Sequence, residues 1–210
     1  MAFYEQFLDQ TKFGSYEDYL KNFHVNVPEN FNYAFDVLDK IAEAEPDRVA
    51  LVWEHVDGRE KTLTFGDIAK KSNQAARALQ KMGIQKGDAV MLVLKRHYSF
   101  WYTIMALHKL GAITVPATHL LTKKDIVYRA NSADIKMVVT SAEGCFAQSC
   151  EDAMPECPTV EKLLIVDGQR EGWLDFEALL AQEPDVYPRP QEPLRHDDIM
   201  LLYFTSGTSG

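Results

Sequence analysis

An α/β fold, with a mostly parallel sheet covered by helices and a hairpin near the N-terminus, is what the sequence predicts, and three observations predict it. Residues 89–94 and 199–204 are apolar at nearly every position instead of alternating. Strands buried on both faces have that pattern, and parallel sheets bury both faces. Segments of helical period separate the apolar runs, as the crossovers of a parallel sheet require. Asp57-Gly58 lies between two strand-like runs at 49–55 and 61–64, and Asp-Gly favours the tight turns of hairpins.

The elements follow in order. Asn30 can cap a helix running through Lys40, with Tyr33, Ala34, Val37, Leu38 and Ile41 as its apolar stripe. After the hairpin, Thr64 and Asp67 have the spacing of a capping box, Asp replacing the usual Glu, and open a helix to Met82. Gly83 ends it, because a left-handed position after the helix suits glycine. A strand at 89–94, a helix at 98–110 stopped by Gly111, and a strand at 112–115 come next. Thr122 with Asp125 repeats the capping-box spacing before a helix to Asn131. Residues 137–140 read as a strand, 144–152 as a helix, 163–166 as a strand, 175–182 as a short helix and 199–204 as the last strand. Pro184, Pro188, Pro190 and Pro193 make 184–193 an extended surface crossing, because proline has no amide donor for regular structure. The strand order is not encoded in any of these patterns.

Composition bounds the function. The chain has 210 residues, 46% of them hydrophobic, and a chain of that length buries roughly 70% of its unfolded surface, so its core needs no staples. Its 22 Lys and Arg against 31 Asp and Glu give a net charge of −9. Nucleic acid and anionic membranes would repel such a chain, whereas a phosphorylated small molecule needs only a few local donors. No apolar run approaches the ~18 residues of a membrane span, and residues 1–5 lack the basic and apolar regions of a signal peptide. The three cysteines, Cys145, Cys150 and Cys157, show no CxxC spacing. Neither a disulfide framework nor a zinc site is expected from them, and a reduced, cytoplasmic chain is.

The last strand runs into Thr205, Ser206, Gly207, Thr208, Ser209 and Gly210. All six are small, and four carry a hydroxyl. Two glycines admit positive φ, which costs other residues ~1–2 kcal/mol each, so successive backbone N–H groups can converge on an anion. Hydrogen bonds to a charged acceptor contribute ~1.5–3 kcal/mol each, so a few suffice for a triphosphate. Composition alone fits a phosphate-binding turn and a flexible Ser/Gly tail equally. Attachment to the carboxyl end of a buried strand, where open α/β sheets bind ligands, favours the turn. It is not a Walker loop, since Thr205 stands where that pattern needs its first glycine, and it lacks the GxG of a dinucleotide fingerprint.

Tyr203 and Phe204 with these six residues resemble the phosphate-binding signature of the adenylate-forming, AMP-binding acyl-CoA synthetase superfamily. The likeness covers nearly the whole chain. Residues 63–68 are similar to the family's T-Y-x-E-L helix opening, 83–90 to its G-V-x-x-G-D-x-V turn and strand, and 109–116 to its K-x-G-A-x-x-x-P element. Residues 26–33 resemble the medium-chain branch. The resemblance implies that residues 1–210 are an incomplete N-terminal part of the adenylation domain, ending inside the phosphate loop, without the C-terminal domain. It implies an enzyme that activates a carboxylic acid, of the fatty-acid class, as an acyl-adenylate with ATP and Mg²⁺, and then passes it to coenzyme A. The fragment alone is expected to be inactive; the alternative is a nucleotide-binding module without turnover. Thr205 to Gly210 would bind phosphate. No catalytic or metal residue is assigned within the chain. Two departures leave the coenzyme contacts unassigned: Leu120 stands where relatives have a glutamine, and Glu143-Gly144 is followed by no arginine.

Other residues carry weaker signals. His97, His108 and His119 lack a companion nucleophile motif and read as surface or helix-end histidines. Phe100, Trp101 and Tyr102 fit a core face better than an acyl-pocket wall. Lys123, Lys124 and Arg129 could meet a phosphate but read as a solvated helix face. Asp197 and Asp198 read as the end of the proline-rich crossing.

Overall fold

The computed structural model describes residues 3–192 and 194–205. The predicted hairpin consists of strands β1 (Val49–Glu54) and β2 (Glu60–Thr64), antiparallel. Five further strands, β3 (Ala89–Val93), β4 (Ile113–Pro116), β5 (Ile135–Ser141), β6 (Lys162–Val166) and β7 (Leu174–Asp175), form one parallel sheet in the order β4-β3-β5-β6-β7. The helices are α1 (Tyr16–Asn22), α2 (Lys40–Ala44), α3 (Phe65–Lys81), α4 (Ser99–Leu110), α5 (Lys123–Ser132), α6 (Phe146–Ala153) and α7 (Phe176–Leu180).

Each central strand feeds two cores, because successive side chains point to opposite faces. Val90 and Leu92 of β3 pack with α3, α4 and α7, whereas Ala89, Met91 and Val93 pack with α5 and α6. All five residues of β3 are buried, which is why the strand reads as an unbroken apolar run.

Both capping boxes form. Thr64 Oγ1 accepts the Asp67 N–H at 3.1 Å and the Asp67 carboxylate accepts the Thr64 N–H at 2.9 Å; Thr122 and Asp125 repeat the reciprocal pair. The first long helix starts differently from expectation. Asn32, not Asn30, caps it: its buried Oδ1 accepts the N–H groups of Ala34 and Phe35. The Asn30 carbonyl instead accepts from Arg189. The helix begins as a wide π turn over Ala34–Asp39 and continues as α2. The arm before it, with a short 3₁₀ turn at Phe3–Phe7 and α1 capped by Ser15, has no apolar period long enough to predict.

A buried cation joins the helices of one face. Lys109 is fully buried; its Nζ donates to Asp39 Oδ1 at 2.8 Å and Asn73 Oδ1 at 2.5 Å, and lies 5.4 Å from the Phe35 ring centroid. The proline-rich crossing is held along α3, where Gln74, Asn73 and Arg77 donate to the carbonyls of Glu183, Asp185 and Val186.

Residues 199–204 do not form the six-residue strand that their apolarity suggests. Among the described residues, one parallel bridge, Thr114 to Leu201, joins them to β4. The Thr114 N–H donates to Met200 O at 2.9 Å, and Thr114 O accepts the Leu202 N–H at 3.0 Å. The ladder stops on both sides for a chemical reason. The next outward-facing position of β4 is Pro116, which has no N–H, and on the other side the Ala112 N–H is already given to Leu107 O.

Candidate nucleotide site and carboxyl edge of the sheet

Residues 200–202 run parallel to β4, so the chain leaves at the carboxyl edge of the sheet, where Thr205 is exposed. Of the sequence-predicted site residues, Ser206, Gly207, Thr208, Ser209 and Gly210 lie outside the described residues. The approach to Thr205 is well anchored. Leu202 and Phe204 pack on the α5–α6 core. Phe204 meets the Tyr128 ring edge-on at 5.9 Å, and the Arg129 guanidinium lies 5.0 Å from its ring centroid.

Arg129 is therefore not simply a solvated cation. It stacks one residue before Thr205, where a cation over an aromatic face contributes ~0.5–1 kcal/mol at an exposed site. No sequence pattern signals this, because the contact crosses 75 residues. Lys123 does behave as a surface residue, pairing with Glu156 at 2.7 Å.

A second polar cluster occupies the carboxyl ends of β3, β5 and β6. Arg59 of the hairpin turn reaches Asp167 Oδ2 at 2.6 Å, and His55 Nε2 reaches Glu143 Oε1 at 2.7 Å. Trp53 Nε1 donates to Arg96 O at 2.9 Å, and its ring stands against His97 and Tyr98. Lys95, Arg96 and Asp167 have positive φ without being glycine, a conformation that costs on the order of 1–3 kcal/mol and persists only where surroundings impose it. His97 departs from the expected surface histidine: it is buried, and burial pushes its pKa down. Burial also pushes the Glu177 carboxyl up. The sequence marked His97 but not its surroundings, which come from four separate segments.

The other candidates resolve into packing. His108 accepts the Tyr33 N–H at 3.0 Å on Nε2, and burial lowers its pKa to about 4, so it is a neutral acceptor near neutral pH. Tyr102 is buried core while Trp101 is half-exposed. Asp198 Oδ2 accepts the Arg195 N–H at 2.8 Å, at the end of the crossing as expected. The three thiols are unpaired, Cys150 and Cys157 buried and Cys145 exposed. Among the described residues no cluster of His, Cys, Asp or Glu could hold a metal ion, and no helix is long and apolar enough to cross a membrane.

Residues 38–210 match the family model described as AMP-binding enzyme. The acyl-coenzyme A synthetase ACSM5, mitochondrial, of Rattus norvegicus is 36% identical over 191 residues, covering 88% of this chain and 32% of the relative. The acyl-coenzyme A synthetase ACSM3, mitochondrial, of Homo sapiens is 31% identical over 205 residues, covering 94% and 34%. Among solved structures, the anthranilate CoA ligase AuaEII in complex with anthranoyl-AMP superposes with a TM-score of 0.78 at 25% identity, covering 88% of this chain and 34% of that one. The Brucella canis acyl-CoA synthetase superposes at 0.71 and 26% identity. The chain spans about a third of the length of the relatives it matches. With its parallel sheet, its anchored approach to Thr205 and a match over most of its length, the chain belongs to the AMP-binding enzyme family.

Proposed function

We propose that residues 1–210 are the front part of the adenylation domain of an ATP-dependent acyl-CoA synthetase. The observation that carries this reading is the delivery of Thr205 to the carboxyl edge of the sheet by a segment bonded to β4 and clamped at Phe204. Thr205, Ser206, Gly207, Thr208, Ser209 and Gly210 hold the phosphates of ATP. A carboxylate attacks the α-phosphate, pyrophosphate leaves, and the acyl-adenylate passes its acyl group to the thiol of coenzyme A. A fatty acid is the proposed substrate, since the similar mammalian relatives are acyl-CoA synthetases of the ACSM group.

The chain's own contribution is electrostatic. Backbone amides and hydroxyls fixed before reaction stabilise the charge that develops on the departing phosphates without reorganising. Exposed Thr205 offers one such hydroxyl. Mg²⁺ would neutralise the same charge, but the described residues offer it no ligand set. Coenzyme A likewise has no assigned contact. The unpaired thiols fit a reducing compartment, with the cytoplasm proposed.

In the whole enzyme, Thr205→Ala combined with Thr208→Ala should slow pyrophosphate release in the presence of acid and ATP, and an unchanged rate would refute the phosphate assignment. A panel of carboxylic acids of increasing length, read by AMP release, tests the substrate class. The 210-residue chain alone is proposed to show no ATP–pyrophosphate exchange, because it spans only about a third of its relatives.

A further inference from the structure

We propose that His97 makes the docking of the β1–β2 hairpin on the sheet's carboxyl edge sensitive to protons: neutral His97 keeps the hairpin closed, and protonation opens it. The geometry fixes which nitrogen carries the proton. His97 Nδ1 receives the Ser99 N–H at 3.3 Å and lies 2.7 Å from Ser99 Oγ. A nitrogen that accepts a backbone N–H bears no hydrogen, so the neutral ring is protonated on Nε2. That Nε2 is buried without a hydrogen-bond partner; the nearest carboxylate oxygen, Asp167 Oδ2, is 4.0 Å away and already engaged by Arg59 at 2.6 Å.

Charging the ring puts a second proton on Nδ1; Ser99 Oγ, 2.7 Å away, can accept it, but the buried Ser99 N–H then loses its acceptor. The second proton would place a cation at the N-terminal end of α4, a twelve-residue helix whose dipole disfavours positive charge there. Packing 4.1 Å from Tyr98 and 5.5 Å from Trp53, centroid to centroid, also keeps water from the charged ring. Each conflict is relieved if the hairpin carrying Trp53 lifts away and water reaches His97.

The sign follows from linkage. A free imidazole titrates near pH ~6.5, and burial lowers His97 below that value in the closed state. The open state therefore binds the proton more tightly, so closure is complete above the free value and weakens as pH falls through the window below it. Other charged groups face the same space. The hairpin contributes His55, Asp57, Arg59 and Lys61; the β3–α4 connection contributes Lys95; Glu143, Asp167 and Glu177 come from the following connections and α7. Tyr98 and Tyr102 are raised by burial and stay neutral. Asp57 is held at about 2, chiefly by the Arg59 backbone N–H, and stays charged throughout. Glu177 works in the opposite sense, because burial raises a carboxyl.

The test uses the isotope-labelled 210-residue chain. Amide exchange protection is compared at about pH 7.5 and about pH 5.5, either side of the free imidazole value, with correction for intrinsic exchange. Protection of β1 and β2 should fall severalfold at the lower pH while β3 and β5 keep theirs. His97→Asn retains an acceptor for the Ser99 N–H without a titrating ring, and should abolish the response; His55→Asn and Glu177→Gln should retain it. Hairpin protection unchanged between the two pH values, or a response surviving in His97→Asn, overturns the proposal. The ring of His97 in the unmodified chain gives an independent reading. Its carbon shifts should titrate together with hairpin opening, and a ring that charges while the hairpin stays protected overturns the proposal as well.

Discussion

Among the buried polar groups, Lys109 and His97 are buried differently. Lys109 satisfies its ammonium with Asp39, Asn73 and the face of Phe35, all on helices of one layer. His97 leaves one ring nitrogen without a partner and packs against Trp53 of the hairpin. A buried group with all its partners is expensive to break and rigidifies what it joins; one short of a partner is stable in only one protonation state. The first belongs to the frame of the fold, the second to the joint between the frame and an appended piece.

The largest expected effect comes from breaking the frame. Lys109→Met removes the cation and leaves the Asp39 carboxylate, 20% exposed, without its charge partner. Removing one member of a buried pair costs about 3–5 kcal/mol, so the urea midpoint should drop steeply, and β3, β5 and the hairpin should lose protection together. Adding Asp39→Leu should recover most of the loss, since a well-packed apolar pair often equals a buried ion pair. A small loss in Lys109→Met alone would place Lys109 outside the frame.

Gly111→Ala probes the same frame at its edge. Gly111 has φ +70°, and an added Cβ would lie 2.7 Å from Leu194 Cδ2 and 3.0 Å from Lys86 Cγ. The left-handed backbone alone costs about 1–2 kcal/mol for alanine, and the contact with Leu194 adds to it. The loss should again be global in a denaturant titration, because Leu194 anchors the chain returning from the proline-rich crossing toward β4.

How far the sequence foretold this division depends on how local each cause is. The frame was legible: 89–94 and 137–139 are apolar because both faces are covered, and the Thr64 and Thr122 boxes are written within four residues. The last strand misled, because its apolar run is only partly covered, with Ile199 and Tyr203 exposed, and its pairing depends on Pro116 and Ala112 at the two ends of β4. Asn32 was missed for Asn30 because its choice rests on the last turn of α4, 76 residues away. At the candidate site the sequence marks Thr205, which the structure leaves exposed at the carboxyl edge of the sheet. Arg129 over Phe204 and the surroundings of His97 were not legible, since each is a contact between segments far apart in sequence.

Thr64→Ala tests the covalent side of the joint. Thr64 ends β2 and caps α3 at once, so its loss removes an acceptor for the Asp67 N–H. An N-cap typically contributes about 1 kcal/mol, and in a chain of this size that is a fall of about 2–4 °C in Tm. Calorimetry should show one transition, and the amides of the first turn of α3 should exchange faster than its last turn.

The smallest global effect, and the sharpest test of the division, is expected from Arg59→Gln. Arg59 touches Asp57, Glu143 and Asp167 and lies 5.9 Å from the Trp53 ring centroid, so it bridges the hairpin turn to two connections of the sheet. Its side chain is 47% exposed, and water screens charge pairs in that setting and competes for their hydrogen bonds. The melting temperature should therefore stay within error of the parent chain. If the hairpin is an appended piece, its amides should nonetheless exchange faster, because the bridge from Arg59 to Asp167 leaves with the guanidinium while the sheet loses nothing that holds it together. A melting temperature that fell as far as in Gly111→Ala would mean the hairpin folds as part of the frame, and the contrast between Lys109 and His97 would then be one of degree rather than of kind.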